Sequence, residues 1–162
     1  MNKKIYLAGP EVFSPNAPEI IARYQKICQQ YGFIGLSALD NENKGSNPTS
    51  ASIFNLNVEN LQTADYVIAN LNPFRGNCTD DGTSWEIGYA YALGIKIFGY
   101  ISDASSMCQK FSKVDESGFR VEDFDQPVNL MLAESIYRIV EGSFETCISA
   151  LNKFDKAFVH PP

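Results

Sequence analysis

Two apolar periods alternate along this chain, one of two residues and one of about 3.6, and together they lay out its elements. Lys4-Ile5-Tyr6-Leu7-Ala8 is a β-favouring run that stops at Gly9-Pro10, because proline cannot continue a ladder and restricts the residue before it. Ile20, Ile21, Tyr24, Ile27, Cys28 and Tyr31 then share one face of a helix, with Asn16 as its N-cap and Gly32 as its stop. Residues 33–36 read as a weaker strand, and a polar stretch rich in Asn, Ser and Gly over 40–50 reads as a loop. A helix is expected over 51–63, a buried, almost continuously apolar strand over 65–71, a loop over 72–81, a helix over 83–93 closed by Gly94, and a strand over 96–101. Residues 102–126 are polar and charged without a sustained period, which leaves a loop, a lid or a partly helical excursion open. A helix around 129–135, a short strand over 137–140 and a helix over 144–154 complete the pattern. Strands and helices alternating at these lengths imply βαβ units with right-handed crossovers. The expected architecture is α/β, a parallel sheet of about five strands with helices on both faces.

Composition narrows what such a fold is for. The chain has 162 residues, a length expected to form a single domain over 1–162, and 44% of them are apolar. Thirteen Lys and Arg against nineteen Asp and Glu leave a net charge of −6, with no basic stripe to neutralise phosphates, so no nucleic-acid polymer is expected as a partner. No apolar run approaches the ~20 residues of a membrane span, and the amino terminus shows no signal-peptide pattern, which together point to the cytoplasm. Cys28, Cys78, Cys108 and Cys147 are scattered and are expected to stay free thiols. The single histidine, His160, sits beside two prolines three residues from the end, so no His/Cys cluster for a metal exists and neither metal nor cofactor is expected. The chemistry must come from carboxylates, hydroxyls and amides.

In parallel α/β sheets ligands bind beyond the carboxyl ends of the strands, where strand order reverses. The most informative segment there is Asp80-Asp81-Gly82-Thr83-Ser84-Trp85-Glu86-Ile87-Gly88-Tyr89-Ala90, followed by Tyr91-Ala92. Glu86 is the only charged residue from Gly82 to Ile95, and it shares a helix face with Ala90 and Leu93. A carboxylate on an apolar stripe must be paired, neutralised or functional. One explanation is a capping box, Thr83-x-x-Glu86, with the anion favoured by the helix dipole. The other is chemistry: Asp80 and Asp81 lie just upstream, and Gly82, Gly88, Ala90 and Ala92 let a ligand or a neighbouring helix come close. Paired carboxylates at a cleft suit an acetal-like carbon, one attacking and the other protonating the leaving group. On this view Glu86, near a helix N-terminus, stays ionised, and one of the adjacent Asp80–Asp81 pair keeps its proton longer.

Tyr6-Leu7-Ala8-Gly9-Pro10, the Asp-x-Gly-Thr-x-x-Glu-x-Gly-Tyr-Ala block at 80–90 and Pro127-Val128-Asn129-Leu130-Met131, in that order and at compatible spacing, resemble the nucleoside 2-deoxyribosyltransferases. The resemblance implies a flavodoxin-like, doubly wound sheet and exchange of the base of a 2′-deoxyribonucleoside for another purine or pyrimidine, as in nucleoside salvage. Carried over position by position, Glu86 is the nucleophile at C1′, Asp80 the acid that exchanges a proton with the base, and Tyr6 the hydroxyl that holds the nucleophile. Asn129 reaches the sugar hydroxyls from a neighbouring subunit, which implies a homo-oligomer. Asn57 falls where many members carry a base-binding aspartate, so base selectivity is where this chain departs. A terminal carboxylate enters the site in some members; the tail ending His160-Pro161-Pro162 departs from that pattern.

Other residues on the binding edge carry two readings each. Phe13 is expected to stack on the base, whereas Phe74, Trp85 and Tyr89 also fit plain core. Asp40-Asn41 meets a sugar or base edge, or is a turn. Arg75 accepts a phosphate, or pairs with Asp80 or Asp81. Cys78 is expected to be inert, and 115–125 a solvated loop. Three functions remain: deoxyribosyl transfer, hydrolysis of 2′-deoxynucleoside 5′-monophosphates at the N-glycosidic bond, and a non-catalytic nucleotide sensor.

Overall fold

Each apolar run is followed by a helical segment that carries the chain back to the same edge, so consecutive strands can pair only in parallel. In a computed structural model of the chain, which describes residues 2–41 and 49–159, the elements are β1 (Lys4–Ala8), α1 (Ala17–Gln30), β2 (Ile34–Leu36), α2 (Ser50–Gln62), β3 (Tyr66–Asn70), α3 (Asp81–Ala92), β4 (Lys96–Ile101), α4 (Met107–Phe111), α5 (Leu130–Ser135), β5 (Arg138–Glu141) and α6 (Phe144–Val159). The strands form one all-parallel sheet in the order β2-β1-β3-β4-β5, the flavodoxin-like arrangement. Most of the expected loop over 40–50, and the tail from His160, lie outside the described residues.

Period-two alternation divides the strand side chains between two cores. Ile5, Leu7, Tyr66, Ile68, Phe98 and Tyr100 face α1 and α6, packing on Cys28, Phe144, Ile148 and Leu151. Tyr6, Ala8, Val67, Ala69, Ile97 and Ile101 face the opposite layer, packing on Leu61 of α2, Ile87 and Ala90 of α3, and Val128 and Ile136 around α5. This phase directs Tyr6 toward α3 rather than α1. A Cβ at Gly99 would lie 2.5 Å from Cδ1 of Leu71, so a larger residue there would have to push that side chain aside where β4 passes under the chain leaving β3.

Three details refine the expected elements. Helix α6 runs on past 154, because Phe154 packs against Phe98, Tyr66 and Tyr137 while Asp155 accepts from the Tyr66 hydroxyl at 2.6 Å and pairs with Lys3. Asn16 sits at the start of α1 but makes no side-chain cap; Pro18 in the first turn supplies the helical φ instead. The stretch 102–126 contains α4, started by a Ser106–Gln109 capping box, and an antiparallel bridge between Val114 and Arg120. All four cysteines are free, and no described helix is long and apolar enough to cross a membrane.

Candidate active site

Strand order reverses between β1 and β3, so the crossovers from these strands leave in opposite directions and open a crevice at their carboxyl ends. Tyr6 points from β1 into the layer beneath α3, and its hydroxyl donates to Oε1 of Glu86 at 2.5 Å. The ring is completely buried, and burial beside the Glu86 charge pushes its pKa well up, so Tyr6 remains a donor. Glu86 is partly buried, and loss of hydration raises its pKa to about 7; the Tyr6 hydrogen bond acts against this and the Asp80 charge adds to it. This corrects the expectation of a carboxylate kept ionised by the helix dipole. Glu86 lies in the second turn of α3, beyond the end where the dipole acts, and desolvation dominates.

The capping-box reading also fails. Asp80, not Thr83, is the N-cap: its Oδ2 accepts from the Thr83 backbone N–H at 2.9 Å and from the Thr83 hydroxyl at 3.1 Å. The helix therefore starts at Asp81 and Glu86 is left free of any cap. No described residue donates to Oδ1 of Asp80. Gly82 separates the two acids, and a Cβ on it would sit 3.1 Å from Asp80 Oδ2.

Glu86 opens into a cavity of about 340 Å³ shared with Phe54, Asn57, Leu61, Gly82 and Trp85. Oδ1 of Asn57 is buried with no hydrogen-bond partner among the described residues, which is costly unless something else supplies a donor. Phe54, Trp85 and Tyr89 form a row of ring contacts, with centroids 5.2 and 5.1 Å apart, along the rim. Phe54 and Trp85 are about half exposed, which is not the plain core position that also fitted Trp85.

The remaining candidates fall outside that cavity. Phe13 is exposed on the turn after β1 and stacks on Phe74 at 5.4 Å. The Arg75 guanidinium lies 4.9 and 4.8 Å from those two ring centroids and has no carboxylate partner among the described residues, so the ion pair with Asp80 or Asp81 is not formed. Asp40 uses both oxygens on the scaffold, accepting from Gln25 Nε2 and the Ser37 N–H at 2.7 Å each, which is the turn reading. Asn129 caps α5 and lines a larger cavity, about 520 Å³, with Asp81, Ser84 and Trp85. Trp85 thus stands between Asn129 and Glu86.

Sequence reasoning missed Glu11. Its Oε1 accepts from Asn70 Nδ2 at 2.7 Å and the Tyr100 hydroxyl at 2.6 Å. Oδ1 of Asn70 then accepts from Asn72, and Oδ1 of Asn72 accepts from the N–H and hydroxyl of Ser102. This chain of bonds ties together the turns after β1, β3 and β4 on which Phe13, Phe74 and Arg75 stand. A carboxylate one residue beyond Gly9-Pro10 at a strand's end was the only signal available.

The fold and this tyrosine-held carboxylate define a flavodoxin-like α/β protein with a carboxylate-centred site. The chain belongs to the nucleoside 2-deoxyribosyltransferase family, whose model matches residues 5–131. A 2-deoxyribosyltransferase from Leishmania mexicana superposes with a TM-score of 0.82 at 33% identity, over 93% of this chain and 97% of that one. An uncharacterized protein of Schizosaccharomyces pombe is 33% identical over 112 residues, 65% of this chain and 53% of its own length, so the chain spans about half of that relative. A CMP N-glycosidase from Clostridium botulinum shares the fold at 16% identity and a TM-score of 0.56, covering 94% of this chain and 99% of that one.

Proposed function

We propose that this protein exchanges the nucleobase of 2′-deoxyribonucleosides by double displacement, in nucleoside salvage. The observation that carries the reading is Glu86, a partly buried carboxylate with one oxygen held by Tyr6 and the other without a partner among the described residues, in a cavity it shares with the Asn57 amide. Ionised Oε2 attacks C1′ as the C1′–N bond breaks, and the departing base takes a proton from Oδ1 of Asp80. The sugar is then an ester of Glu86. The acceptor base gives its proton to Asp80, and its nitrogen displaces the glutamate from C1′, so configuration is retained overall. A 2-deoxy sugar favours this route, since no 2′-hydroxyl withdraws charge from the oxocarbenium-like transition state. Phe54, Leu61 and Trp85 wall the cavity and keep water from the ester, without which transfer becomes hydrolysis. Asn57 meets the base there with its amide, in place of the charged acceptor many relatives carry, while Gly82 leaves room between the acids and Phe13 offers an exposed face for stacking. Asn129 serves the sugar hydroxyls of a neighbouring copy.

A second reading, hydrolysis of 2′-deoxynucleoside 5′-monophosphates, draws on Arg75, a guanidinium on the same edge with no anionic partner among the described residues. Incubation with deoxyinosine and free adenine separates the two. Deoxyadenosine and hypoxanthine are the expected products; free deoxyribose or deoxyribose 5-phosphate, from nucleoside or nucleotide donors, supports hydrolysis, and no turnover of either donor rejects both.

A further inference from the structure

The charged excursion before α5 does more than cover the surface. Glu122 turns inward from it, one carboxylate oxygen accepting from Nδ2 of Asn129 and the other from the backbone N–H of Leu130 at 2.7 Å. Oδ1 of Asn129 accepts in turn from the Met131 N–H at 3.0 Å. The amide is therefore held at both ends. Turned over, it would set a carbonyl oxygen against a carboxylate and an NH2 group against an N–H, losing both bonds at once. Among the described residues nothing uses its second N–H or second lone pair, a donor and an acceptor that match what a sugar hydroxyl needs. The arm that carries Glu122 is itself fastened. Lys110 Nζ donates to the carbonyls of Asp103 at 3.1 Å and Pro127 at 2.7 Å, and the Met107 N–H donates to Gln126 O at 2.9 Å.

We propose that Glu122 is a positioning residue, whose carboxylate fixes the Asn129 amide in the orientation with which it meets the sugar hydroxyls of the deoxyribosyl substrate. This rests on the reading of Asn129 given above, and it assigns a part in the site to the segment 115–125, whose sequence reads as a solvated loop. The test is a double-mutant cycle on the turnover the wild type displays, exchange or hydrolysis. Glu122→Ala is expected to lower kcat/KM about tenfold, the worth of a hydrogen bond to a charged group, with Glu122→Gln, which keeps one of the two acceptors, recovering part of the loss. In an Asn129→Ala background, Glu122→Ala should cost less than about twofold more. Effects that multiply overturn the proposal. An inert wild type defeats the functional reading instead, and the amide resonances of the Asn129 side chain then decide: they are expected to shift in Glu122→Gln, and resonances left in place overturn the pairing itself.

Discussion

Glu86 holds its proton up to about pH 7 because the cavity strips it of water, and this has two measurable consequences of opposite kind. As a nucleophile it must be ionised, so kcat/KM for base exchange is expected to climb as pH rises through about 7. Tyr6→Phe removes the donor that pulls the pKa down, and the climb should shift to higher pH as well as shrink; a pH–rate profile with an unmoved midpoint would sink the role given to Tyr6. The second consequence is for folding. A carboxyl raised from 4.5 to about 7 binds more protons in the folded state than unfolded between those values, so stability falls as pH rises across that window and the loss is complete above it. Glu86→Gln is therefore expected to abolish exchange yet raise Tm above wild type at about pH 8, an advantage that fades on acidification toward 4.5. Melting curves at both ends of the window check it.

At the scale of elements, Asp80 holds two roles that substitution can separate. It starts α3 through Thr83, and its other oxygen is the proposed proton carrier. Asparagine caps helices as well as aspartate does, whereas alanine forfeits about 1 kcal/mol. Asp80→Asn and Asp80→Ala should both lose exchange, but only the alanine variant should unfold at lower urea. Equal stability of the two would mean that α3 does not depend on this cap. The same helix shows what was legible in the chain. Its helical course and Glu86, the only charge from Gly82 to Ile95, were readable because both are local patterns, whereas the aim of Tyr6 at Glu86 entered only through the family resemblance. The start of the helix was not readable: Asp80-x-x-Thr83 and Thr83-x-x-Glu86 are both plausible beginnings, and burial of Thr83 and the draw of Tyr6 on Glu86 decide between them. Glu11 was invisible for a similar reason, since its partners Asn70 and Tyr100 lie 59 and 89 residues away. Arg75 went to the Phe13 and Phe74 rings because the loop after β3 turns it outward at a φ of 50°, a geometry no composition rule announces.

For the whole molecule, the decisive fact is that Asn129 and Glu86 open into different cavities, with Trp85 between them. This separation accords with the proposal that the amide serving the sugar at Glu86 comes from another copy of the chain. The surface around Trp85 suits such a neighbour: Phe54, Trp85, Tyr91 and Met131 are 50%, 46%, 61% and 69% exposed, and apolar side chains so placed favour a covering partner. Sharing of sites between copies has a consequence that sites within one chain cannot mimic. Alone, Glu86→Ala chains should be inactive and Asn129→Ala chains strongly impaired but still measurable. Unfolded together and refolded as random dimers, half of the pairs combine one of each, and one of their two sites has both residues intact, so about a quarter of the wild-type rate should return. A mixture no more active than its components, with mixed dimers demonstrated by differential tagging, would place Asn129 and Glu86 at unrelated tasks.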